Sequence, residues 1–208
     1  MRNIVSTSRR AGTALGSIVV LALVLGACAK PHSAYYWRES FRGHNRTGRT
    51  IEVHANLGNS RLAGDPGTCP GCGVETLRAG GGGAIGYMAS PQLAIYFLDV
   101  QWLRATVADT DRSQELLTLG WRLRRWISNR LWAQFGAGLA NFQDRISEGQ
   151  PGDEATGYGI YTSYGFGVEI FSWSTGSLDF YVRFDASNVP VMGGHLAAPV
   201  TGLGFSLY

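Results

Sequence analysis

The chain has 208 residues, 45% of them hydrophobic, 16% charged and 29 of them glycine, with a formal charge of +3. That length allows one domain with a sizeable core. The basic surplus comes from Arg2, Arg9 and Arg10; without them basic and acidic residues balance, which removes the electrostatic case for a nucleic-acid partner.

Those arginines precede an apolar stretch from Ile18 to Leu25 and the small residues Gly26 and Ala27. A positive start, a short hydrophobic segment and small residues before a cut describe a signal peptide over residues 1–27. The stretch is too short to span a bilayer comfortably as a helix. Leu25-Gly26-Ala27-Cys28 resembles the lipobox of bacterial lipoproteins. The resemblance implies acylation, palmitate included, at Cys28 and a new N-terminus there. Ala29 in place of an Asp implies sorting to the outer membrane. Residues 28–48 have no clear period and read as a lipidated periplasmic tether, with Tyr35, Tyr36 and Trp37 partly packed.

From Arg49 onward alternation with a period of two dominates, the mark of strands with two different faces. TIEVHANLG sets Ile51, Val53, Ala55 and Leu57 against Glu52, His54 and Asn56. TCPGCG then holds Cys69 and Cys72; in an oxidising compartment a local disulfide is expected, since no helix follows to activate a thiol and no further zinc ligands lie close by. GGGGAIGYMA reads as a second strand whose glycine run marks its entry, where neighbouring bulk needs room. The run lacks the Lys-Ser/Thr of a phosphate loop. In AIYFLDVQW, regular alternation puts Ala94, Tyr96, Leu98, Val100 and Trp102 on one face and Ile95, Phe97, Asp99 and Gln101 on the other.

LLTLGWRLRRW sets Leu117, Leu119, Trp121 and Leu123 against Thr118, Gly120, Arg122 and Arg124. LWAQFGAGLANF sets Leu131, Ala133, Phe135, Ala137 and Leu139 against Gln134, Gly136, Gly138 and Ala140. GYGIYTSYGFGVEIF carries Tyr158, Ile160, Tyr164, Phe166, Val168 and Ile170 opposite glycines, Ser163 and Glu169. SLDFYVRFDA alternates Leu178, Phe180, Val182 and Phe184 with Asp179, Tyr181, Arg183 and Asp185. The last strand, VTGLGFSLY, is expected to start after Pro199, which cannot donate to a ladder. In it Tyr208 shares parity with Gly204 and Ser206 rather than with Phe205 and Leu207.

These are eight strands, joined alternately by long connections and by the tight turns SPQ, SNR and SWSTG. Short turns at one end and longer loops at the other suit an all-β, eight-stranded antiparallel up-and-down transmembrane barrel over residues 49–208. An even strand count brings both termini to the short-turn end, the side a periplasmic anchor requires. Trp126 and Trp132 flank one turn and Trp173 sits in another, with Trp102 and Tyr158 near the opposite rim, as interfacial girdles would.

On strand count, loop asymmetry and alternation, with GAIGYMASPQLAIYFLDVQW as a typical second hairpin, the chain resembles the small outer-membrane barrels of the OmpA and OmpX type. The final strand departs from that family's pattern, in which the closing aromatic shares the apolar face. The resemblance implies outer-membrane lipid and lipopolysaccharide as surroundings. Polar residues would face a narrow lumen, making Glu52, His54, Asp99, Gln101, Arg122, Arg124, Glu169, Asp179, Arg183 and Asp185 a charge network. Paired, these groups would plug the lumen rather than line an open channel, which leaves a structural, surface-interaction or minor solute role.

Catalysis is not expected: Asp185, Ser187 and His195 fall on a strand end and a loop without a nucleophile elbow. No cofactor or metal is implied. The rival reading is a lipocalin-like lipoprotein calyx, with the same alternation turned inside out and an apolar ligand within.

Overall fold

The computed structural model describes residues 46–63, 75–106, 112–146, 155–189 and 194–208. Its strands are β1 (Gly48–Ala63), β2 (Glu75–Ser90), β3 (Leu93–Thr106), β4 (Arg112–Trp126), β5 (Leu131–Ile146), β6 (Ala155–Trp173), β7 (Gly176–Val189) and β8 (Gly194–Leu207). Each pairs antiparallel with the next, and β8 closes on β1 to give an eight-stranded up-and-down barrel. The leader, Cys28, most of the tether, and Cys69 and Cys72 lie outside the described residues.

The strands run 14 to 19 residues, longer than the alternating segments. Pairing continues past the apolar stretch at the end with the long connections, where residues such as Asn59 and Thr156 carry no hydrophobic signal. The glycine run 80–83 therefore lies mid-strand in β2, not at its entry. Pro199 lies inside β8, not before it. The β8 ladder to β1 passes from Gly58↔Val200 to Arg61↔Ala197, so the missing N–H falls in a gap.

Regular alternation fails in β3. Tyr96 pairs with Arg122 but Asp99 with Gly120, so Phe97 and Leu98 together oppose Trp121. This β-bulge turns both side chains outward. Ala94 and Tyr96 thus face inward with Asp99, Gln101, Leu103 and Ala105, while Ile95, Phe97, Leu98, Val100 and Trp102 face out. The single-phase reading of this strand is corrected accordingly. A second bulge, at Ile170 and Phe171 in β6, does the same, so Phe171 leaves the parity of Glu169 and turns outward.

The two faces have opposite chemistry. Outside stand Ile51, Val53, Leu119, Leu139, Phe166, Val182 and many other large apolar residues, exposed around the barrel. Inside are the ionic groups and two apolar layers. One, near the long connections, contains Leu103, Leu116, Phe142, Tyr161, Leu196 and Val200. The other, toward the short turns, contains Tyr96, Trp126, Trp132 and Tyr181, with Met88 and Tyr208 packed on it. This is the reverse of a calyx.

Candidate functional site: the ionic lumen

All ten residues of the expected network are buried inside the barrel. Their strands deliver them by parity: Glu52 and His54 from β1, Asp99 and Gln101 from β3, Arg122 and Arg124 from β4, Glu169 from β6, and Asp179, Arg183 and Asp185 from β7. Glu52 is the hub. Its Oε1 lies 3.0 Å from Arg122 Nη1 and its Oε2 2.6 Å from Arg124 Nη2. Arg124 Nη1 reaches Asp179 Oδ2 at 3.1 Å, and Arg122 Nη2 comes within 3.6 Å of Asp99 Oδ1. Gln134 Oε1 accepts from Arg122 Nη1 (3.2 Å) and Arg124 Nη2 (3.4 Å). His54 Nδ1 stands 3.4 Å from Glu52 Oε1.

Further from the short turns, Arg183 Nε lies 3.0 Å from Asp185 Oδ1, and its Nη2 donates to Gln101 Oε1. Glu169 stands apart from this chain of ions, at the floor by the short turns. It accepts from Arg46 Nη2 (2.7 Å) and Trp126 Nε1 (2.7 Å). Arg46 Nη2 also donates to the Asn129 carbonyl at 2.8 Å.

Arg46 was not expected here, because it precedes the first alternating segment. Arg78, which donates to Gln114 Oε1 (2.8 Å), was missed because it lies in the part of β2 beyond the recognised pattern. Trp126 and Trp132 are corrected from interfacial girdle to lumen: they are 1% and 0% exposed. Each lies under a guanidinium, Arg46 being 4.6 Å from the Trp126 ring and Arg124 3.8 Å from the Trp132 ring. Arg122 stands 4.5 Å over Tyr96. Aromatic faces thereby supply negative quadrupole to cations that have left water. The signal was in the sequence, since Trp126 shares parity with Arg122 and Arg124, and Trp132 with Gln134. Trp173, Trp102 and Tyr158 do face outward. Glycine on the facing strand gives Trp132 its room, since a Cβ at Gly167 would overlap its ring.

The C-terminal parity is also explained. β8 keeps one register along β7, without a bulge, so Tyr208 points into the floor. Its hydroxyl donates to Glu169 Oε1 (3.4 Å) and lies 3.0 Å from Ser177 Oγ. Burial pushes its pKa up, keeping the phenol protonated as a donor.

Asp185, Ser187 and His195 do not assemble into a catalytic group. Ser187 and Asp185 are buried in the lumen, and Asp185 is held by Arg183, whereas His195 is exposed on the opposite face of the wall. Buried ions in matched geometry can fix a cross-section and exclude bulk water.

No protein-family model matches the chain, and no curated protein does. Solved structures do. Ail, the attachment invasion locus protein of Yersinia pestis, matches with a TM-score of 0.56 and 10% identity over 77% of this chain and 99% of that one. Its complex with the heparin analogue sucrose octasulfate gives 0.51 and 11%, over 76% and 99%. Neisserial surface protein A gives 0.51 and 13%, over 74% and 95%. At these identities the likeness is one of fold, the small closed eight-stranded barrel.

Proposed function

We propose that this chain is a lipid-anchored outer-membrane barrel whose lumen is plugged, serving as a structural or surface-interaction protein rather than a solute channel. One observation carries the reading. A closed sheet presents hydrophobic side chains around its outside while twelve Arg, His, Asp and Glu side chains lie buried within, among the described residues. A soluble monomer rarely exposes more than a few hundred Å² of contiguous apolar surface, and a bilayer is the solvent this exterior fits.

The lipobox-like Leu25–Cys28 supports an anchor, and Arg46 places the approach to β1 at the short-turn end, which an N-terminal lipid would hold on the periplasmic side. The long connections then face outward from the cell. Ail's name speaks of attachment, which favours a surface role on the same fold. The aromatic and aliphatic layer of Leu103, Leu116, Phe142 and Leu196 above the ions favours closure over conduction.

Fractionation tests the reading. The full chain should stay with the outer membrane until detergent is added, and its gel mobility should shift on boiling. Palmitate incorporation should disappear in Cys28→Ser. Release as a soluble protein once the lipid is removed would defeat the membrane assignment.

A further inference from the structure

The ions in the middle of the lumen do not balance. Among the described residues, Arg122, Arg124 and Arg183 share this region with Glu52, Asp99, Asp179 and Asp185. The remaining buried ions, Arg46 with Glu169 at the floor and Arg78 with Asp144 toward the long connections, add equal charge of each sign. With His54 neutral, the middle carries one negative charge in excess.

That excess falls on Asp99. Glu52 is held by two guanidiniums, at 3.0 and 2.6 Å. Asp179 is held by Arg124 (3.1 Å), Ser177 (2.8 Å) and Ser206 (3.4 Å). Asp185 is held by Arg183. Asp99 is 0% exposed, its ion contact is Arg122 Nη2 at 3.6 Å, and among the described residues neither of its carboxylate oxygens accepts a hydrogen bond. Arg122 meanwhile makes its closer contact with Glu52.

Further oxygens lie near it. Asp99 pairs with Gly120, Gly120 with Gly138 and Gly138 with Tyr161, and the missing side chains let the Tyr161 ring lie over this part of the wall, where a Cβ at Gly138 would overlap it. Tyr161 lies within electrostatic reach of both Asp99 and Asp185. The hydroxyls of Thr118 and Tyr161 are buried within reach of each other, and that of Ser163 is buried with no hydrogen-bond partner among the described residues. Thr118 and Ser163 face the same stretch of lumen, opposite Gln101 and Gly136 respectively.

We propose that Asp99, with the hydroxyls of Thr118, Tyr161 and Ser163, binds a small monovalent cation within the lumen. Carboxylate and hydroxyl oxygens are hard ligands suited to a hard ion. A single charge cancels the excess, whereas a divalent ion would reverse it. The narrow interior of an eight-stranded barrel admits only a small ion. A proton, on His54 or on one of the buried carboxyls, is the competing way to neutrality. That imidazole faces Glu52 at 3.4 Å, Arg122 and Arg183 across the lumen, and the Tyr181 ring; burial first, and then the two guanidiniums, oppose a further positive charge there.

The test uses the full chain purified in detergent, with N-methyl-D-glucamine replacing sodium at constant ionic strength. The heat-induced gel shift follows unfolding as sodium is restored. Sodium at ten times its dissociation constant should raise the midpoint by about 3–5 °C. The rise should vanish in Asp99→Asn, shrink in Thr118→Val/Ser163→Ala, and persist in His54→Gln. Equal midpoints in the two cations would mean that water or a proton, and no cation, serves Asp99, overturning the proposal. A rise that survives Asp99→Asn, or one lost in His54→Gln but kept in Asp99→Asn, overturns it too. Should Asp99→Asn fail to fold, the double hydroxyl variant, which keeps every ion, decides by itself, and an undiminished rise there counts against the site.

Discussion

Arg122 ties Asp99 to the Glu52 hub, touching Glu52 at 3.0 Å, Asp99 at 3.6 Å and the face of Tyr96 at 4.5 Å. Arg122→Ala removes that link and leaves a buried carboxylate uncompensated, an effect of about 3–5 kcal/mol in the barrel's stability. If the ions plug the lumen, the vacated volume fills with water, and single-channel conductance in planar bilayers should rise. Arg183→Ala, which frees Asp185 and Gln101, should raise it as well. Conductance equal to the wild type in either variant would remove the plug role of that arginine. At the same scale, the pairing of guanidiniums with indoles explains why tryptophans sit where parity, not turn proximity, puts them.

The bulge in β3 governs a whole strand. A one-residue change in a strand ordinarily sends every side chain on one side of it to the wrong face. At Phe97 and Leu98 the chain already carries the extra residue relative to both neighbours, since β2 pairs Ile85 with Leu98 but Gly86 with Tyr96. Deleting Phe97 therefore restores plain alternation and keeps Tyr96 and Asp99 inward. That deletion should still yield a heat-modifiable barrel. Deleting Val100, three residues on, should not, because Asp99 and Gln101 cannot then both face the lumen. A Phe97 deletion that fails to assemble while the Val100 deletion succeeds would refute this account of the strand.

For the molecule as a whole, the inside-out distribution of polarity is the feature that matters. Val182 is half exposed in the middle of β7, opposite Phe166 and Thr201 on the outer face. In a bilayer, an arginine there should destabilise the folded barrel by about 2–4 kcal/mol, its effect near the midplane. Denaturant unfolding in lipid vesicles measures it. In a soluble protein the same change on an exposed site would cost almost nothing, so a neutral Val182→Arg would contradict the membrane setting.

Period-two alternation, eight times over, together with the uneven connections, was enough to specify strand number, antiparallel order and the inward list from Glu52 to Asp185, because burial of one face imposes its parity directly on residue type. Two things escaped it. Bulges at Phe97–Leu98 and Ile170–Phe171 reset the phase, and nothing in a single strand announces an extra residue; it becomes visible only against the neighbouring strands. Partners across the lumen escaped too. Arg46 meets Glu169 across 123 residues, and Arg124 meets Asp179 across 55, distances that closure of the sheet alone removes. The sequence chose which side chains go inside. Barrel closure decided which of them meet, and left Asp99 without a hydrogen bond among the described residues.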